Sequence, residues 1–229
     1  MQSQPALHSR LLAEFIGTMT LCAVGIGAIL MNGDLLGVAF AHGLAIATMV
    51  TAIGHISGGH LNPAVTTAMM AFRKISPKDG VLYIVAQLLG GVAGAGLMKW
   101  LVDGTTGAAP FDTAARVGLA KGLSGFNGML LEAIATLLLV WVVYGVAVDP
   151  DGAFAKVAGL PIGFVVTMDI LMIGPMTGAT MNPARWFGPN VLLGEWANAW
   201  VWIVGPVLGA VVAGALYLYG IRPRVASES

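Results

Sequence analysis

Ser57-Gly58-Gly59-His60-Leu61-Asn62-Pro63-Ala64-Val65 and, further on, Thr177-Gly178-Ala179-Thr180-Met181-Asn182-Pro183-Ala184-Arg185 are two versions of one stretch. Each runs from a hydroxyl residue through small, flexible residues to Asn-Pro-Ala at the head of an apolar run. Asn is a favoured helix N-cap because its side-chain oxygen accepts an orphan backbone N–H. Pro suits the first helical position, where no N–H partner is required. About ten residues follow each Asn before a charge or turn residue, roughly 15 Å of helix against a ~30 Å hydrocarbon core. The two stretches therefore predict half-helices that begin at mid-membrane or dip into it.

The remaining sequence agrees with a membrane setting. The 229 residues are 57% hydrophobic and only 10% charged, and mean hydropathy is +0.85, whereas soluble domains carry about 25% charged residues. Zero net charge gives no footprint for a nucleic-acid partner. The single cysteine, Cys22, allows no disulfide within one chain. The apolar run behind the polar first ten residues is too long for a signal-peptide core and is expected to be retained.

Six apolar segments are long enough to span: Leu11–Met31, Leu35–Ile56, Val81–Val102, Asn127–Val148, Ala155–Gly174 and Ala197–Tyr219. The Asn-Pro-Ala segments fall between the second and third and between the fifth and sixth. Arg10, Arg73, Lys74, Lys78, Lys156, Arg222 and Arg224 collect on one side, and Lys99, Arg116, Lys121 and Arg185 on the other. The richer side, with both termini, is expected to be cytoplasmic. Asn62 and Asn182 are 120 positions apart, and Gly43/Gly163, Ser57/Thr177 and Gly58/Gly178 match at that offset; Glu14/Glu132 match at 118 and Gly90/Gly209 at 119. Three spans per half is odd, so the second half must be inverted relative to the first. Inverted repeats with broken helices at the midplane are a transport architecture. The expected fold is an all-α membrane protein: six transmembrane helices plus two re-entrant half-helices. It forms one channel domain of inverted repeats, about 8–102 and 125–221, joined by an extracellular loop 103–124.

Ala13-Glu14-Phe15-Ile16-Gly17-Thr18, His55-Ile56-Ser57-Gly58-Gly59-His60-Leu61-Asn62-Pro63-Ala64-Val65 and Asn182-Pro183-Ala184-Arg185 carry a resemblance from end to end to the aquaporin (major intrinsic protein) family. One Asn-Pro-Ala is no signal; two in an inverted six-span repeat are specific. Two half-helices meeting head to head aim both positive dipole ends at one point, which repels cations, hydronium included. Each Asn can cap its helix through its oxygen and turn its NH₂ to the pore. By resemblance, Asn62 and Asn182 then donate to one water oxygen. Backbone outside a helix is tolerated at this depth where it lines a cavity or packs in protein. Gly58, Gly59, His60 and Leu61 on one side, and Gly178, Ala179, Thr180 and Met181 on the other, are therefore expected to offer a ladder of carbonyl acceptors.

An arginine at membrane depth, here Arg185, is functional by default. The resemblance places it at the narrowest point with His42, Ile170 and Ala179. Strictly water-selective members have an aromatic residue at the first of these places and histidine at the second. Glycerol facilitators have two aromatics and an Asp after the Arg. With His42, Ile170 and Trp186, this chain fits neither and is closest to plant tonoplast-type members, some of which also pass ammonia, urea or peroxide. Glu14 and Glu132 are expected to support the half-helices by accepting loop N–H groups rather than to relay protons. Asp169 is open between facing the outer vestibule and pairing within the bundle, and His60 between a structural or pore-lining role and a pH gate. Gly90-x-x-x-Gly94 and Gly205-x-x-x-Gly209 offer faces for close helix contact, expected to pack the two halves together.

The function expected is a passive channel for water, and for small neutral solutes such as ammonia, that excludes protons and ions. The alternatives are a glycerol or small-solute facilitator, a coupled secondary transporter, or a structural membrane protein with a closed pore. No nucleophile–base or metal constellation points to an enzyme, and neither cofactor nor metal is expected. The expected partners are the permeant, the lipid bilayer of the plasma (cell inner) membrane, and, from the resemblance, three further copies in a homotetramer.

Overall fold

The computed structural model describes residues 5–102, 104–152 and 157–222. Among them the secondary structure is helical, with no strand. The order is α1 (Leu7–Leu30), α2 (Leu35–Ser57), α3 (Pro63–Ala71), α4 (Pro77–Val102), α5 (Phe111–Ala114), α6 (Gly125–Val143), α7 (Gly159–Thr177), α8 (Pro183–Leu193) and α9 (Val201–Leu216). A π-turn extends α6 to Val148 and another extends α9 to Ile221. Six of these helices are long and apolar enough to cross a membrane, and α3 and α8 are the two half-helices. Large apolar side chains such as Leu12, Phe40, Leu89 and Phe164 are exposed on the outside, where lipid would cover them.

Several boundaries differ from expectation. The first span begins at Leu7, so Arg10 lies inside it; there its charge meets Asp79 of α4 at 3.0 Å. The fifth runs through Pro175 to Thr177. That proline stands in the last turn, where a missing N–H costs one intrahelical bond, and Gly178 at φ 81° provides the stop. The sixth starts at Val201, after a turn over 196–200. Asp103, Ala155, Lys156 and Arg224, which entered the expected boundaries and charge count, lie outside the described residues. The connection between the halves carries the short helix α5, with Phe111 fully buried.

The glycine faces act differently from expectation. A Cβ at Gly90 or Gly94 would run into the α1 backbone at Phe15 and Met19, and one at Gly205 or Gly209 into the α6 backbone at Met129 and Ala133. These pairs join α1 to α4 and α6 to α9, within each half. The halves meet instead through Gly43 on α2 and Gly163 on α7, each facing the other's carbonyl oxygen, and through Gly91 on α4 against Gly188 on α8. Each half-helix also crosses over: α3 packs on α9 as well as α4, and α8 packs on α4. The cause is inversion: the pseudo-two-fold axis of inverted repeats lies in the membrane plane, and the two half-helices meet near where it crosses the lumen, so each touches both halves.

Candidate pore and its constriction

Local chemistry starts both half-helices. Asn62 and Asn182 are extended N-caps followed by Pro at the first helical position. Asn62 Oδ1 accepts from Ala64 N at 2.8 Å, and Asn182 Oδ1 accepts from Ala184 N at 3.0 Å and Arg185 N at 3.3 Å. The amide nitrogens cross between the halves. Asn62 Nδ2 donates to the Met181 carbonyl and Asn182 Nδ2 to the Leu61 carbonyl, both at 2.8 Å. One N–H of each NH₂ is therefore engaged, and one is left for the lumen. Leu61 departs from the expected acceptor ladder: its carbonyl holds Asn182, and it has no exposed surface.

The two acceptor residues share an uncommon backbone. Leu61 has φ 51° and Met181 φ 50°, with Ala179 at 44°. Left-handed non-glycine residues cost of order 1–3 kcal/mol each and persist where surroundings over-determine them. Two buried carboxylates do so. Glu14 accepts from Ser57 Oγ at 2.6 Å and His60 N at 3.0 Å on one oxygen, and from Leu61 N and Gln87 Nε2, both at 2.7 Å, on the other. Glu132 accepts from Thr177 Oγ1 at 2.7 Å and Thr180 N at 3.0 Å, then Met181 N at 2.7 Å and Thr180 Oγ1 at 3.1 Å. Tyr83 OH donates to Ser57 O, and Trp202 Nε1, at the matching place in the other half, donates to Thr177 O.

Two cavities meet at Arg185. The inner one, about 250 Å³, is lined by Gly58, Gly59, His60, Thr180 and both Asn residues, with Lys74 and Val148 towards its far end. The outer one, about 530 Å³, is lined by Gly178, Asn190 and the 113–120 segment. His42, Ile170, Ala179 and Arg185 all line the inner cavity, and Arg185 lines both. His42 Nδ1 lies 2.8 Å from Val38 O, and its Nε2 lies 3.4 Å from Arg185 Nε and 3.3 Å from Nη2. A carbonyl only accepts and a guanidinium only donates, so the imidazole is neutral with its hydrogen on Nδ1. Gly25 on α1 makes the room for this ring, which a Cβ there would overlap. Arg185 is thus no loop residue, and the outer side of the charge count loses it.

Other side chains settle what the sequence left open or missed. Trp186 is buried and stacks on Trp202, centroids 5.8 Å apart and planes 6° from parallel, facing helix packing rather than the lumen. His60 lines the inner cavity and meets Thr66 Oγ1 at 3.1 Å. Asp169 does neither of the two things weighed for it. It is fully buried and neither oxygen has a partner among the described residues. Gln87, a lone amide in an apolar span, and Asn190, which grips both backbone groups of Val117 at 3.1 and 2.9 Å, were not singled out. A polar side chain inside an apolar run was the available signal for each.

A six-span inverted repeat, with two half-helices capped into one lumen and an Arg–His pair where its two cavities meet, defines a multi-pass integral membrane channel. The chain belongs to the major intrinsic protein family, which it matches over residues 1–217. It is 41% identical over 225 residues to aquaporin-4 of Mus musculus, covering 93% of this chain and 67% of that protein. It is 39% identical over 217 residues to the probable aquaporin TIP-type RB7-18C of Nicotiana tabacum, covering 90% and 84%. The X-ray structure of the aquaglyceroporin from Plasmodium falciparum shares the fold, with TM-score 0.82 and 24% identity over 95% of this chain and 98% of that one.

Proposed function

We propose that this protein is a passive channel that conducts water and small neutral solutes such as ammonia while excluding protons and ions. The observation that carries the reading is the crossed pair Asn62–Met181 and Asn182–Leu61, which fixes one free donor from each Asn where two helix N-termini converge. Water held by those donors has its hydrogens turned away, and the converging dipoles and Arg185 repel cations. The relatives named as aquaporins support water as the permeant. Glu14 and Glu132 act as fixed supports of the loops. The carbonyls of Gly58, Gly59, His60, Gly178, Ala179 and Thr180 are the acceptors along the path, while that of Met181, like that of Leu61, holds an Asn amide from the other half.

Ile170 leaves one wall of the ring apolar, with His42 and Arg185 as its polar groups, which favours ammonia over a ring with a second histidine. Glycerol passes poorly, since His42, Ile170 and Ala179 make no aromatic wedge and Trp186 replaces an acid. A glycerol facilitator is the second reading, favoured by the aquaglyceroporin fold neighbour. A coupled transporter is disfavoured because no carboxylate lines the inner cavity among the described residues. We place the chain as one domain of repeats 8–102 and 125–221 joined by an extracellular 103–124 loop. Both termini are cytoplasmic in the plasma membrane, and four copies assemble with one pore each.

Stopped-flow light scattering on proteoliposomes tests the reading, with water, glycerol and ammonia run in parallel. Fast osmotic shrinkage with low activation energy and no proton current is the expected result. A proton conductance tracking the water flux would overturn it.

A further inference from the structure

Asn190 is a buried amide that the channel reading leaves without a task. It stands in the last turn of α8, the half-helix that carries Arg185, with 1% of its surface exposed. Its oxygen accepts from Val117 N at 3.1 Å and its NH₂ donates to Val117 O at 2.9 Å. One side chain thus pairs with one loop residue as a neighbouring strand would. At the repeat offset of 120 stands Met70, whose side chain lies against Gly80 of α4. The segment that Asn190 grips joins the two halves and so occurs once, which is why the repeat has no second grip.

That segment is a wall of the outer cavity. Residues 113–120 line it without a break, together with Gly178, Arg185 and Asn190. The Val117 side chain is buried in an apolar cluster with Trp186 and Trp202. It also stands on Gly178, where a Cβ would lie 3.1 Å from Val117 Cγ1 and 3.7 Å from Arg185 Nη1. Gly178 directly precedes Ala179 of the constriction, so the gripped loop residue rests on the outer edge of the ring. Two other ties hold the segment. Ala120 N donates to Met176 O at 2.8 Å, and Arg116 pairs with Glu195 at 3.1 Å. The ion pair is open to solvent, and such pairs are weak. The Asn190 bonds are buried, and breaking them would strand polar groups without partners.

We propose that Asn190 is a specificity-determining positioning residue: through Val117 it fixes the joining segment as the outer wall of the constriction, so that the size limit for neutral solutes is set there as well as by His42, Ile170, Ala179 and Arg185. Water passes with the wall in place. A wider solute such as glycerol must displace the wall and break the two Asn190 bonds, and each net hydrogen bond is worth about fivefold in rate. The inference rests on the channel reading above.

The test uses the full chain, Asn190→Leu and Val117→Ala in proteoliposomes, with glycerol and water flux measured on the same vesicles. Leucine is close to asparagine in size and shape but cannot grip a backbone. Val117→Ala keeps both backbone bonds and trims the methyls that stand on Gly178. Glycerol flux relative to water should rise about fivefold or more in Asn190→Leu, and in the same direction in Val117→Ala. A bundle that is only loosened would lose both fluxes together and keep their ratio, so an unchanged or lowered ratio in either variant would overturn the proposal. Should Asn190→Leu fail to fold, Val117→Ala decides together with hydrogen exchange on the wild type. There the Val117 amide should be protected like the helical amides, and free exchange at it would overturn the grip. Absence of water flux in the wild-type vesicles would instead overturn the channel reading, and this inference with it.

Discussion

Glu132→Ala removes the single acceptor of four buried donors: Thr177 Oγ1, Thr180 Oγ1 and the backbone N–H groups of Thr180 and Met181. Hydroxyls can rotate towards other acceptors, but the two amides cannot. At about 1–3 kcal/mol per unsatisfied buried donor, the amides alone cost about 2–6 kcal/mol, a large share of the about 5–15 kcal/mol that holds a typical domain folded. Glu132→Gln is milder. Its oxygen keeps Thr177 Oγ1 and Thr180 N, and its NH₂ can donate to Thr180 Oγ1, but it faces the Met181 N–H donor to donor. One amide is lost, about 1–3 kcal/mol, at roughly 2–4 °C of melting temperature per kcal/mol for a chain of this size. The Met181 carbonyl holds Asn62, so the slack reaches the lumen. Thermal unfolding in detergent, followed by tryptophan fluorescence, and osmotic flux per reconstituted protein measure both effects. Glu132→Gln should fold with a lowered melting temperature and reduced flux, and Glu132→Ala should yield little folded protein. Glu132→Ala with wild-type melting and flux would refute the view that this carboxylate holds the loop.

Gly163→Ala should sharply lower the yield of folded protein in detergent, because its Cβ would meet the Gly43 carbonyl oxygen and Ala47 across the α2–α7 contact; Gly96→Ala, with only Leu192 Cδ1 at 3.8 Å, should melt like the wild type. Ile170→His should cut ammonia flux severalfold while keeping most water flux, read with a pH dye under an ammonium gradient at matched protein density. Asp149, just past the fourth span, is held below the usual carboxylate range, first by the Asp151 backbone N–H and then by Tyr217 OH, Arg222 and Lys74, against the opposing effect of desolvation. A depressed value means its hold on the end of the sixth span is complete above the ordinary carboxylate range and is lost as pH falls through the lowered value. Protection from hydrogen exchange over 217–221, measured against the intrinsic rate at each pH, should therefore fall on acidification in the wild type, and already be low and pH-independent in Asp149→Ala.

The half-helices were legible because their cause is local: Asn caps, Pro opens, and the apolar run that follows is too short to span. Glu14 and Glu132 were legible because a carboxylate inside an apolar run is conspicuous and these two recur 118 positions apart, within two of the repeat offset. The crossed amide bonds were not, since their acceptors are backbone carbonyls, which every residue carries. Nor was the partnering of the glycines. Gly90 and Gly43 both advertise a close approach, and only the packed bundle decides that one meets α1 and the other α7. The passage of α7 through Pro175 was hidden for a related reason, because tertiary packing outweighs one missing backbone bond near a helix end.

The crossed bonds between Asn62 and Met181, and between Asn182 and Leu61, also set an order of construction. Chains are made from the N-terminus and fold as units in that order. While only the first half has been synthesised, Asn62 has capped its helix but its amide partner, 119 residues downstream, does not yet exist. Leu61 likewise has its carbonyl in place with no Asn182 to receive. The conducting path is therefore absent from every partial chain and comes into being in one late event, when the second loop docks.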